Sequence, residues 1–169
     1  SDLAVTGQEV LAGLAAAVAL GAALGGGMLV SPAIRGGLRP LAVSSIWETE
    51  PVGAPGTPWF WNLAASAETE LGPHAALDLI HDVERAAGRV RRERNAPRTL
   101  DVDLLILGSL AIDDSRLVLP HPRLHQRAFV LKPLLDLAPE IRIPGQGSAS
   151  DFMKAVSDQR VELLEESAE

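Results

Sequence analysis

The run Thr99–Leu107, TLDVDLLIL, limits what this chain can fold into more than any other stretch. It reads as a strand, and its uninterrupted apolar end (LLIL) reads as a central strand, not a wet edge. Side chains on a strand repeat every two residues. Asp101 and Asp103 therefore project from one face, while Leu100, Val102 and Leu104 point to the other. Two carboxylates that close repel unless a cation sits between them, and burying them without partners is costly. Core on one side of this strand and a cation-holding polar site on the other are expected, a solvated acidic face being the alternative.

What precedes the strand says which polar site. Five arginines (Arg89, Arg91, Arg92, Arg94 and Arg98) lie in RVRRERNAPR, and Pro97 holds the chain extended into Arg98. Guanidinium groups grip phosphate in rigid two-pronged contacts and do not lose their proton. Concentrated arginine beside paired carboxylates suits a polyphosphate held through Mg²⁺. The arginines stand out against a net charge of −7, which argues against nucleic acid and anionic membranes as partners. Cysteine and tyrosine are absent, so disulfides, thiolate catalysis, cysteine-ligated zinc and phenolic acid–base chemistry are excluded.

The length of 169 residues indicates a single domain, 1–169. Val10–Val30 has no polar side chain and is long enough to raise the question of a membrane span. It is mostly alanine and glycine, however, and Gly25-Gly26-Gly27 interrupts it, so a buried strand or alanine-rich helix with a glycine loop is expected. Leu41–Trp47 and Phe60–Thr69 read as strands, plausible hairpin partners across the Pro/Gly loop Glu50–Thr57. Pro73–Ala87 reads as a helix with Leu77, Ile80, Val83, Glu84 and Ala87 at helical spacing and Gly88 as its stop. Leu110–Ile112 is a candidate partner for the aspartate strand across Gly108-Ser109. Helices are expected from Arg127 to Leu137 and from about Ser150 to Leu164. Hairpin-like strands mixed with helices indicate an α+β fold.

Other constellations are weaker. Phe60 and Asn62 could give a flat heterocycle a stacking face and a hydrogen-bonding edge, or could be a core aromatic beside a turn. His121 and His125 have the spacing of a zinc pair, but Pro120 and Pro122 oppose a regular helix and no third ligand is evident. A phosphate or ribose contact suits His121 better. The glycines at 25–27 lack the lysine and Ser/Thr of a phosphate loop and read as a turn.

VSSIWETEPVG (43–53), PWFWN (58–62), ERAAGRVRRERNAPRTLDVDLLILG (84–108) and LPHPRLHQRAFVLKPLLDLAPE (119–140) together resemble the 6-hydroxymethyl-7,8-dihydropterin pyrophosphokinases of folate biosynthesis, in the family's order and near its spacing. The resemblance implies a ferredoxin-like antiparallel sheet with helices packed on its faces. It also implies a cytoplasmic, monomeric enzyme that moves diphosphate from ATP to the pterin hydroxymethyl group and releases AMP. Carried over by position, Asp101 and Asp103 would hold two Mg²⁺ ions, and Arg89 and Arg98 would be the catalytic arginines. Phe60 and Phe129 would sandwich the pterin, Asn62 would bond its edge, and Thr49, Glu50 and Val52 would line the pocket. Glu84, Arg91, His121 and Arg127 would contact ATP. Residues 1–40 depart from the family: Ala22 and Ala23 in ALGAALGG stand where serine and asparagine are expected. A nucleotide-binding relative without turnover is the alternative that this departure leaves open.

Overall fold

The computed structural model of the chain describes residues 37–49, 59–88 and 100–164. It opens with an antiparallel hairpin whose arms are each broken once. β1 (Leu38–Val43) and β2 (Trp47–Thr49) form one arm, β3 (Phe60–Asn62) and β4 (Ala65–Thr69) the other. β1 pairs with β4, Val43 lying opposite Ala65, and β2 pairs with β3, Trp47 opposite Asn62 and Thr49 opposite Phe60. The expected hairpin is present, but the single strand expected over Leu41–Trp47 is two strands. Serine chemistry makes the break. Ser44 donates its N–H to Ala64 O at 2.8 Å and its Oγ accepts the Ala64 N–H at 2.9 Å, so a side chain replaces one rung of the ladder. The Ser45 N–H goes to Asp136 Oδ2 at 2.7 Å. A backbone donor committed to a carboxylate is lost to the sheet.

α1 (Pro73–Ala86) follows, with Pro73 in its first turn, where the missing N–H costs nothing. It buries Ala76, Ile80, Val83 and Glu84, and Gly88 at φ 81° takes the left-handed conformation just past its end. The helix expected from the spacing is therefore observed.

Leu100–Leu107 is extended, yet only Val102 makes a bridge, so the regular strand expected from Thr99 to Leu107 does not form among the described residues. Its backbone groups bond elsewhere: the Val102 N–H to Glu84 Oε1 at 2.8 Å, and Leu105 O to the His121 N–H at 2.8 Å. Alternation survives without the ladder. Leu100, Val102 and Leu104 face one apolar cluster with Ile80 and Val83 of α1. Leu105 faces a second cluster with Leu124, Leu131 and Ile143. Nor does Leu110–Ile112 fold back on this segment. A turn closes from the Leu110 N–H to Leu107 O, and β5 (Ile112–Asp113) pairs with β6 (Val118–Leu119) instead.

The C-terminal part comprises a 3₁₀ turn (Leu124–Gln126), α2 (Ala128–Leu137), β7 (Arg142–Ile143), β8 (Gly147–Ser148), α3 (Ala149–Ala155) and β9 (Glu162–Leu163). α2 lies where the sequence places it. The last helix is cut short: instead of running to Leu164 it ends at Ala155, because Val156 and Val161 bury in the second cluster and β9 pairs with β2. Burying each valine contributes about 1.5–3 kcal/mol, more than the helix propensity forgone over a few residues.

The architecture is α+β, with helices against small antiparallel sheets of two or three strands. α2 packs on β2 and β3, which joins the hairpin to the second cluster. No helix among the described residues is long and apolar enough to cross a membrane, and Val10–Val30 lies outside those residues.

Candidate active site

The acidic pair sits between the two clusters. Asp101 and Asp103 are half-buried, and the charges of both act on the Arg127 guanidinium. Asp103 Oδ2 lies 3.8 Å from Arg127 Nη1 and 3.9 Å from His121 Nε2. These are ion-pair separations too long for hydrogen bonds. The Asp103 side chain also keeps 34% of its surface exposed, so neither cation locks it. Oxygen donors of this kind fit Mg²⁺, which takes one or two carboxylates and completes its shell with water and substrate phosphates. Among the described residues no three His, Cys, Asp or Glu side chains cluster.

Glu84 holds the segment that carries the pair. It is 2% exposed, and its Oε1 accepts the N–H of Val102, the residue between the two aspartates, at 2.8 Å. A hydrogen bond to the buried face of α1 thus fixes the backbone midway between two candidate metal ligands.

His121, Arg127 and Phe129 come to the pair from the chain leading into α2. Burial holds the His121 imidazole below its ordinary pKa despite the pull of Asp103, and Arg127 and Arg123 lower it further. Its Nδ1 accepts the Arg123 N–H at 3.2 Å, so the ring proton belongs on Nε2, which faces Asp103. Burial, with Arg123 adding, also lowers the Arg127 pKa, Asp103 and Asp101 opposing; the group stays charged regardless. The Arg127 guanidinium carbon lies 5.5 Å from the Phe129 ring centroid. One arginine therefore spans the acidic pair and an aromatic face.

On the hairpin, Asn62 is 2% exposed and Thr49 8%. Asn62 Nδ2 points to Thr49 Oγ1 at 3.0 Å, Phe60 O at 3.1 Å and Trp47 O at 3.3 Å. Phe60, opposite Thr49 in the ladder, is exposed. α2 packs on β2 and β3, so Phe129 rises from a helix that rests on the strands bearing Thr49, Phe60 and Asn62. The described structure thus brings Asp101, Asp103, His121, Arg127 and Phe129 together and sets the hairpin residues on adjacent elements. The shallow depression lined by Ile112, Asp113, Val118 and Gln146 includes none of the candidate site residues. Glu50, Val52, Arg89, Arg91 and Arg98 lie outside the described residues. Sequence reasoning missed Arg123, whose only signal was its place in the short run HPRLHQR.

His121 and His125 are no ligand pair. His125 packs on the Phe152 ring at 5.4 Å, while His121 turns to Asp103.

With this geometry in place, comparison with known proteins decides the family. The profile of 7,8-dihydro-6-hydroxymethylpterin-pyrophosphokinase (HPPK) matches residues 17–139, most of the chain. The chain belongs to the HPPK family. The 2-amino-4-hydroxy-6-hydroxymethyldihydropteridine pyrophosphokinase of Methylorubrum extorquens is 43% identical over 110 residues, 65% of this chain and 70% of that protein. The Pseudomonas aeruginosa enzyme of the same name is 40% identical over 126 residues, 75% and 78% of the two chains. The mitochondrial folate synthesis bifunctional protein of Arabidopsis thaliana matches at 43% over 103 residues, 61% of this chain but only 19% of its own length. The HPPK match begins ahead of ALGAALGG, so the altered Ala22-Ala23 stretch lies inside it.

Proposed function

We propose that this chain transfers diphosphate from ATP to the hydroxymethyl group of 6-hydroxymethyl-7,8-dihydropterin, releasing AMP, as a step of folate biosynthesis. The observation that carries the reading is an arginine that lies 3.8 Å from Asp103, feels the charge of Asp101 and also covers an aromatic ring. Relatives named as this kinase, at 40–43% identity over 65–75% of the chain, support it.

Asp101 and Asp103 are the residues that would hold Mg²⁺, two ions in our reading. The metal supplies charge neutralisation of the triphosphate and polarisation of the phosphorus under attack. The protein's own part is to position and neutralise. Arg127 and the Nε2–H of His121 offer phosphate donors beside the pair, and Arg91 adds a third. Arg89 and Arg98 meet the charge that develops on the transferred group. Phe60 and Phe129 take the two faces of the pterin. Because Nδ2 of Asn62 is directed at three protein oxygens, Asn62 presents its carbonyl oxygen to the pterin edge. Thr49 keeps that amide in place, and Glu50 and Val52 extend the same wall. Glu84 acts on ATP through the segment it holds. The hairpin, α1 and α2 are parts of a ferredoxin-like sandwich in one domain, and the enzyme works as a cytoplasmic monomer.

The test is a chromatographic assay for AMP with ATP, pterin and Mg²⁺, omitting each in turn. AMP that requires all three is expected. Tight nucleotide binding with no AMP release would refute turnover, and ADP or pyrophosphate as product would refute the reaction class. For Arg98→Ala a loss of kcat larger than the loss of ATP affinity is expected; unchanged kcat would reduce Arg98 to a binding residue.

A further inference from the structure

Arg127 and Phe129 stand at the very start of α2, and a helix start has backbone donors with no partner inside the helix. The residue preceding α2 is Arg127 itself, and its side chain makes no capping bond. The exposed N-terminal turn of a helix can turn to water, but Ala128 is fully buried, at 0% exposure. Its N–H is satisfied from far along the chain: Gln159 Oε1 accepts it at 2.9 Å. The same side chain's Nε2 donates to Gln126 O at 2.9 Å. One carboxamide thus brackets the backbone of Arg127, bonding the peptide groups on both sides of it as a neighbouring strand would.

The bracket is anchored. The Gln159 N–H bonds Val156 O at 3.1 Å, and Val156 and Val161 bury in the cluster that contains Ala128. Lys132, one turn into α2, donates from Nζ to Val161 O at 3.0 Å. β9 then pairs with β2, the strand that ends at Thr49. The segment 156–163 therefore touches both walls of the proposed pterin site, and it lies wholly beyond the residues that match the HPPK profile.

We infer that Gln159 is a positioning residue for substrate binding: by bracketing Arg127 it fixes where the Arg127 guanidinium and the Phe129 ring meet phosphate and pterin. The inference rests on the proposed stacking role of Phe129. Gln159→Met keeps the length of the side chain and removes both hydrogen bonds. Its expected effect is a fall in kcat/KM for the pterin of about tenfold or more, carried mainly by KM, since a displacement of about an ångström at a contact residue is enough for that. Thermal melting of each variant reports on folding separately.

The decisive readout is a double-mutant cycle with Phe129→Ala. When Gln159 acts through Phe129, Gln159→Met costs about twofold or less in the Phe129→Ala background. Equal losses in both backgrounds, or a Gln159→Met variant within about twofold of wild type, overturn the inference. Phe129→Ala with normal pterin affinity overturns the stacking assignment, and this inference with it. Gln159→Glu is the second variant. Its carboxylate still accepts the Ala128 N–H but sets an acceptor against Gln126 O, so half of the bracket is lost and kcat/KM for the pterin should stay several-fold below wild type. A glutamate variant indistinguishable from wild type would show that the bond to Gln126 positions nothing, and overturns the bracket.

Discussion

The two helices that flank the acidic segment serve it in opposite ways. α1 contributes from its middle: a carboxylate buried on its core face reaches across to the Val102 N–H and steadies the backbone between Asp101 and Asp103. α2 contributes from its end. Arg127 precedes its first turn and Phe129 lies in it, and both project beside the pair. Mid-helix backbone is fully hydrogen-bonded, so it can back a buried side chain rigidly. A helix start has unpaired donors and needs an outside partner, which Gln159 supplies. Support and contact come from different places on a helix because their backbone demands differ.

Four experiments put this contrast at risk. The largest effect falls on the segment between the helices. Asp103→Ala should lower kcat/KM about 10³-fold with little change in melting temperature, since relief of the repulsion from Asp101 offsets the lost attraction to Arg127 and His121. A variant that turns over near the normal rate would sink the metal assignment. Next come the cores. Ile80→Ala beneath α1 and Leu131→Ala in α2 should each cost about 2–5 kcal/mol in urea denaturation, being 2% and 0% exposed. If α1 only supports, Ile80→Ala should spare kcat at temperatures where the protein stays folded.

Smaller is Glu84→Ala, which removes the acceptor of the Val102 N–H and should cost about 1–3 kcal/mol while raising the Mg²⁺ concentration needed for half-maximal rate. Glu84→Gln retains an acceptor oxygen and should restore the Mg²⁺ response. A glutamine variant as impaired as the alanine one would mean that charge, not the bond to Val102, is what matters.

The smallest effect concerns the tie between α1 and the β5–β6 hairpin. Asp114 Oδ1 accepts the Arg116 and Leu117 N–H groups at 2.8 and 2.9 Å, and Oδ2 meets His74 Nε2 of α1 at 2.8 Å. Those backbone bonds, with His74 adding, hold its pKa below the ordinary 3.8. A carboxylate with a depressed folded-state pKa contributes stability above its unfolded value that is lost as pH falls through the folded one. The melting-temperature gap between wild type and Asp114→Ala should therefore be present at neutral pH and close as pH drops below 3.8. A gap that stays constant with pH would assign the effect to helix or turn propensity.

Much of this was legible in the chain. The period of two over Leu100–Leu105 assigned its side chains to opposite faces correctly, even though no ladder formed there, because alternation depends on extended backbone and not on pairing. The helix Pro73–Ala86 was readable from its spacing and its glycine stop, which are local signals. The α2 helix was placed for the same reason. The C-terminal helix was not: its end at Ala155 follows from Val156 and Val161 finding the second core and β9 finding β2, and no local pattern carries that information. The break at Ser44-Ser45 escaped for a like reason, since Asp136 lies 91 residues away.

The sequence by itself determined that two carboxylates share a side, that arginines crowd the approach to them, and that the family signature runs through both. Those facts are set by residue type and short spacing. Tertiary structure decided what meets them: that Glu84 is buried against Val102, that Arg127 spans Asp103 and Phe129, and that Gln159 closes the start of α2. Each of these joins groups distant in sequence, and only the packing of two cores against one extended segment brings them within reach.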